Sequence, residues 1–116
     1  VTIRPARAEE ATRLAALVEA AYAPWVSIIG RRPGPMDDDY AARIAAGEAW
    51  VLDVDGTIHG LIVIETHADH LMLDNIAVDP ARKGMGDGRL LLEFVEAKAR
   101  RRGLPAVRLY THALIA

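Results

Sequence analysis

Apolar residues recur along this chain at two different spacings, and the spacing changes where turn residues stand. VTIRP alternates apolar and polar positions and stops at Pro5, which predicts a short first strand. From about Glu9 onward Leu14, Leu17, Val18 and Ala21 fall at helical intervals, predicting an amphipathic helix that Pro24 ends or kinks. IGRRPGPMDDD reads as a loop, and its aspartates suit the start of a second short helix, roughly Asp38 to Ala46, closed by Gly47. AWVLDVDGTIHGLIVIE reads as a hairpin turning at Asp55-Gly56, a pair that accepts the positive φ angles of a tight turn. After the polar turn HADH, LMLDNIAV is almost continuously apolar and predicts a central strand. On the helix that follows, Leu91, Leu92, Val95 and Ala99 form one stripe with Phe94 beside it. Gly103 stops that helix, and AVRLYTH, which carries Tyr110, supplies a last strand.

The order is therefore β-α-α-β-β-β-α-β, an α/β (α+β) pattern in a single domain spanning residues 1–116. The strand–loop–helix–strand segment is a βαβ unit, whose crossover makes its two strands parallel within a mixed, mostly antiparallel sheet. Composition agrees with a globular domain: 52% of residues are hydrophobic and 26% charged. A net charge of −2 supplies no overall attraction to nucleic acid or to an anionic membrane. With no cysteine there is no thiolate metal ligand and no Cys to carry an acyl group, and a cytoplasmic location is expected. No apolar run approaches a membrane span, and VTIRPARAEE lacks the layout of a signal peptide. The chain opens on Val and stops at YTHALIA, so both ends read as trimmed and the C-terminal part as missing.

The chemistry-bearing stretch is DPARKGMGDGRLLLEFVEAKARRRG, residues 79–103, with Gly84, Gly86 and Gly88 at the mouth of a helix. A helix start offers unpaired N–H groups at the positive end of the helix dipole, and glycines remove the Cβ atoms that would hold a phosphate away from them. The pattern points to a phosphate or pyrophosphate ligand beyond the carboxyl end of a buried strand. A nucleotide P-loop would need Lys-Ser/Thr after the last glycine, where Arg89 and Leu90 stand. The glycine spacing also misses the dinucleotide fingerprint. A plain turn without ligand remains the alternative on spacing alone.

LDNIAVDPARKGMGDGRLLLEFVEAKARRRG resembles the acetyl-CoA-binding core of the GCN5-related N-acetyltransferase (GNAT) superfamily: a strand ending in an apolar-small-Val triplet, a Pro, a Gln/Arg-x-x-Gly-x-Gly/Ala loop and a Leu-rich helix. Ile76-Ala77-Val78, Pro80 and the run from Lys83 through Gly84, Met85, Gly86, Asp87 and Gly88 to Arg89 carry the pattern. The upstream TIRPA, first helix and hairpin follow the family order, so the resemblance covers nearly the whole chain. It implies that the amides from Lys83 to Arg89 hold the CoA pyrophosphate. It implies too that the Ile76–Val78 backbone pairs with the pantetheine arm, with the Ile76 N–H as a one-donor oxyanion hole. Two positions depart from the pattern. Lys83 stands where Gln or Arg is usual, and Asp87 where a branched apolar residue is usual. A carboxylate there would repel the ligand and weaken its binding, unless it turns to solvent or pairs with Arg82 or Arg89.

The resemblance further implies direct attack by an amine of a small molecule or peptide on acetyl-CoA, with acetyl-CoA as co-substrate. Asp74, two residues before Ile76 and by strand period on the same face, is the candidate proton acceptor; the plainer reading is that it satisfies a neighbouring backbone group. Tyr22, Trp25 and Tyr40 stand where the family builds its acceptor site, though they equally suit a core. Tyr110 reads as core. His67, Asp69 and His70 sit in a polar turn, and no metal site is expected there. The rival to an enzyme is a non-catalytic CoA-binding module for sensing or assembly. A further alternative is a homodimer in which a second copy covers the exposed edge of the last strand.

Overall fold

The computed structural model describes residues 2–29, 36, 38–82 and 84–109, without the side chains of Trp25, Ser27, Ile28, Ile29 and Leu109. Its strands are β1 (Thr2–Pro5), β2 (Ala49–Val54), β3 (Thr57–Thr66), β4 (His70–Val78) and β5 (Ala106–Leu109). Its α-helices are α1 (Ala11–Ile29), α2 (Tyr40–Ala45) and α3 (Asp87–Arg101). The strands lie in the order β1-β2-β3-β4-β5, antiparallel up to β4 and parallel between β4 and β5. The expected mixed sheet and its βαβ unit are therefore present, with α3 as the crossover.

The sheet is apolar on both faces because helices cover both. Leu14, Leu17, Val18 and Tyr22 of α1 and Tyr40 of α2 pack on Val51, Leu61, Val63 and Ala77. On the other face Leu91, Val95 and Ala99 of α3 pack on Leu52, Ile62, Ile64, Leu71, Leu73 and Ile76. The hairpin turns as expected: Asp55 has φ 53° and Gly56 φ 85°, the two positive values that match a two-residue turn to the strand twist. A 3-10 turn at Ala8–Glu10 leads into α1, and Arg4 of β1 bonds both oxygens of Glu10 at 2.9 and 2.8 Å and Asp53 of β2 at 3.0 Å.

Two boundaries differ from the sequence pattern. Helix α1 does not end at Pro24 but runs through it to Ile29. The proline removes one helical hydrogen bond, yet Tyr22 before it and Val26 after it both pack in the same apolar cluster. Helix α2 is shorter than expected. Asp39 caps it by accepting from the Ala42 N–H at 3.1 Å, and the turn that ends at Gly47 begins already at Ala46.

Gly60 on β3 explains how closely α3 docks. A Cβ there would meet Leu91 Cδ1 at 3.1 Å, the Ala77 carbonyl oxygen at 3.3 Å and Leu52 Cβ at 3.4 Å. Replacing Gly60 with Val therefore overpacks the seam between β3, β4 and α3. Urea unfolding of Gly60→Val is expected to show a loss of about 1–3 kcal/mol, with an unchanged dependence on denaturant concentration.

Candidate active site

The site begins where β4 runs out. Asp79, the next residue, closes a turn: its N–H donates to the His59 carbonyl at 2.8 Å, and its carboxylate accepts the Ala81 N–H at 3.0 Å and meets His59 Nδ1 at 3.1 Å. These bonds hold its carboxyl below the usual range, the Ala81 amide most of all. After the 3-10 turn Pro80–Arg82 come Gly84 and Gly86, with φ of 85° and 83°, values that side chains with a Cβ rarely adopt. A Cβ on either glycine would meet nothing within 4 Å, so the protein itself leaves the outer side of the loop open. Gly88 has an ordinary φ, and a Cβ there would only touch Val78 at 3.8 Å; neither backbone nor packing demands a glycine at that position.

Helix α3 starts at Asp87, and its first hydrogen bond runs from the Leu90 N–H to the Gly86 carbonyl at 3.1 Å. The amides of Gly88 and Arg89 have no acceptor among the described residues, and they stand at the positive end of the helix dipole. That combination binds anions. Lys83 lies outside the described residues. Met85 is largely exposed, and among the described residues Arg89 is engaged only by the exposed Glu93 at 3.1 Å.

Asp87 does not face the loop opening. Its carboxylate is buried and accepts Arg82 Nε at 2.7 Å and Nη2 at 3.2 Å, a two-point pair that neutralises it. Of the ways to relieve the expected repulsion, pairing with Arg82 is the one realised. Removing the guanidinium leaves a buried carboxylate beside the anion-binding amides. Arg82→Ala is expected to lower the thermal unfolding midpoint and to weaken CoA binding about tenfold, both recovered in part by adding Asp87→Asn. Calorimetric titration with CoA measures this.

On β4 the backbone turns its polar groups alternately to its two neighbours. Because the Asp79 N–H bonds His59, residues Ala77 and Asn75 face β3, and the N–H and C=O of Ile76 and Val78 face the other way. On that side the described pairing with β5 reaches only from His70 to Leu73. Among the described residues the Ile76 amide has no strand partner on that side. The side chains of Ile76 and Ala77 are buried on opposite faces, so only main chain is offered there.

Asp74 is not on the face of Ile76, contrary to the alternation read from sequence. Val63 pairs with Asn75 and Ile64 with Leu73, which leaves Asp74 as an extra residue, a β-bulge. Leu73 and Ile76 point toward α3, whereas Asp74 and Asn75 both point toward α1 and α2. Asp74 meets Arg43 Nη1 at 3.3 Å, and the same guanidinium bonds Glu65 at 2.8 Å, Glu48 at 3.1 Å and Asp38 at 2.9 Å. Burial, reinforced by Glu65, pushes the Asp74 carboxyl up to about 7. Glu65, bonded to Asp74 and Arg43, is held down at about 2.

Tyr22 and Tyr40 are buried in the apolar core rather than displayed on an open surface. Tyr22 donates to Asn75 Oδ1 at 2.7 Å and lies 3.3 Å from the Ile76 carbonyl, and Asn75 Nδ2 donates to the Tyr40 hydroxyl at 3.0 Å. The rings need burial and the hydroxyls need partners, and the bulged strand supplies both. The Trp25 side chain and all of Tyr110 lie outside the described residues. His67 and His70 stack with ring centroids 4.7 Å apart, each on its own carboxylate, Glu65 at 3.2 Å and Asp69 at 2.6 Å. Among the described residues, no helix is long and apolar enough to cross a membrane. Sequence reasoning missed Arg43 and Glu65, which gather around Asp74 only through tertiary contacts. The adjacent polar pair Asp74-Asn75 inside an apolar run was the available sign of the bulge.

Comparison with known proteins agrees with this fold. The family model described as "Acetyltransferase (GNAT) family" matches residues 14–114. Among solved structures, the PaiA N-acetyltransferase of Thermoplasma acidophilum in complex with coenzyme A superposes with a TM-score of 0.80 at 16% identity, covering 97% of this chain and 82% of its own. A GNAT family acetyltransferase of Brucella melitensis in complex with acetyl-CoA gives 0.74 at 24% identity, covering 93% and 73%. A GNAT family acetyltransferase of Listeria monocytogenes gives 0.77 at 20% identity, covering 93% and 74%. No curated protein matches by sequence.

Proposed function

This chain belongs to the acetyltransferase (GNAT) family, and on that footing we propose that it acetylates a primary amine of a small molecule or peptide, by direct attack on acetyl-CoA. The carrying observation is the juxtaposition of the glycine-opened loop at the start of α3 with the outward-looking Ile76 amide on β4. The loop fits a pyrophosphate: its outer side is open at Gly84 and Gly86, its amides at Gly88 and Arg89 have no acceptor among the described residues, and its one carboxylate is neutralised by Arg82. Acetyl-CoA, when bound, supplies an acetyl group activated as a thioester.

The chain's own groups account for the remaining work. Amides from Lys83 to Arg89 grip the diphosphate, and the Ile76 and Val78 main chain offers a strand edge to an extended arm. The Ile76 N–H is the donor for negative charge developing on the carbonyl oxygen. The acceptor, an ammonium in solution, must shed one proton before it can attack and a second as the nitrogen–carbon bond forms and the carbon–sulfur bond breaks. One accompanies the departing thiolate; the other passes to Asp74, directly or through a water, and then to solvent. A carboxyl near 7 is matched to that task at neutral pH, half of it ready to accept a proton. Tyr22 and Tyr40 serve this reading through Asn75, by holding the bulged strand, and not by touching the acceptor.

Thermal shift with acetyl-CoA followed by thiol release across a panel of primary amines tests the proposal. Release should rise with pH through about 7 as Asp74 loses its proton. Asp74→Asn is expected to lower turnover about 100-fold or more while leaving the acetyl-CoA thermal shift in place. Binding without release from any amine would make the chain a CoA-binding module instead.

A further inference from the structure

Four carboxylates surround the single guanidinium of Arg43. Asp38 precedes α2, Glu48 lies between α2 and β2, Glu65 is on β3 and Asp74 is the bulged residue of β4. His67 adds an imidazole 3.2 Å from Glu65. Among the described residues one guanidinium faces four carboxylates, and in a half-buried setting one positive charge does not offset four negative ones, so full ionisation of the cluster is unfavourable. The group that gives way is identified by position. Asp74 is the most enclosed, with a side chain 7% exposed against 24%, 29% and 30% for Asp38, Glu48 and Glu65, and its 3.3 Å contact with Arg43 is the longest of the four. Three carboxylates converge on the one Nη1 atom, Glu65 at 2.8 Å, Glu48 at 3.1 Å and Asp74 at 3.3 Å; Glu65 makes the shortest of these bonds and lies on β3, the strand paired with that of Asp74.

We propose that Glu65 is a positioning residue for Asp74: the two carboxylates, gathered on Arg43 Nη1, hold one proton between them, and Glu65 keeps that proton on Asp74. This deepens the reading of Asp74 as proton acceptor and rests on it only for its catalytic consequence. The upward shift of Asp74 and the downward shift of Glu65 are the two sides of that sharing. Because Glu65 touches Asp74 and not the reacting atoms, its effect passes through the acidity of its neighbour.

The test is a carbon-detected NMR titration of the side-chain carboxyls in the whole chain, with protons as the only ligand. The unaltered protein should show Asp74 titrating near neutrality, well apart from Glu65. In Glu65→Gln the Asp74 midpoint should fall by about one pH unit or more, and in Glu65→Asp, with its shorter reach, by less. In the thiol-release assay the same shift should move the acid limb of the pH profile to lower pH and lower its plateau, since a weaker base accepts protons less well. A merely structural Glu65 would reduce the amount of folded protein without moving that limb. An ordinary Asp74 midpoint in the unaltered protein, or one unmoved by Glu65→Gln, overturns the inference; the first of these decides even if the variants do not fold. Full activity of Asp74→Asn would remove the base assignment alone and leave the shared proton standing.

Discussion

One extra residue in β4 puts two polar side chains next to each other on a sheet face that is otherwise apolar. A buried amide and a buried carboxyl cost free energy unless each finds partners, and the helices of that face are arranged around meeting the demand. Tyr22 of α1 and Tyr40 of α2 take the two ends of the Asn75 amide, and Arg43 of α2 reaches Asp74. No buried side-chain polar atom among the described residues lacks a partner. The bulge therefore ties both helices to the middle of β4. It does so immediately before the point at which the Ile76 amide turns away from β3.

The other half of the site depends on the same strand at its far end. Asp79 fastens the chain to β3 through His59, and the glycines then let the backbone turn into α3, where the amides of Gly88 and Arg89 have no acceptor among the described residues. Gly60 lets α3 settle onto β3 and β4, which fixes where those amides stand relative to Ile76. In the proposed reaction, affinity for a diphosphate and stabilisation of a developing oxyanion come from main-chain groups. Side chains contribute through what they neutralise or hold: Arg82 cancels Asp87, and Arg43 organises the carboxylates about Asp74.

A main-chain site of this kind tolerates wide variation in sequence. The solved structures share the fold at 16–24% identity. For this chain the departures at Lys83 and Asp87 are to be judged by their neighbours. At Asp87 the neighbour is Arg82, and the charge is taken out of play.

Much of this was legible from the residues alone, because local physics decides it. Period and turn chemistry placed the strands, the Asp55-Gly56 hairpin and the amphipathic helices, and the glycines marked the turn into α3, since each of these depends on neighbours a few positions away in the chain. The continuation of α1 through Pro24 was not legible, because packing of Val26 outweighs a local penalty. Nor was the face taken by Asp74: a strict two-residue period holds only where a strand is regular, and the bulge is set by its pairing with β3. The cluster around Arg43 joins residues 38, 43, 48, 65 and 74, brought together by three elements that meet only in the folded chain. Local order fixes what each segment becomes, whereas the acidity of a buried group depends on charges that only tertiary packing assembles.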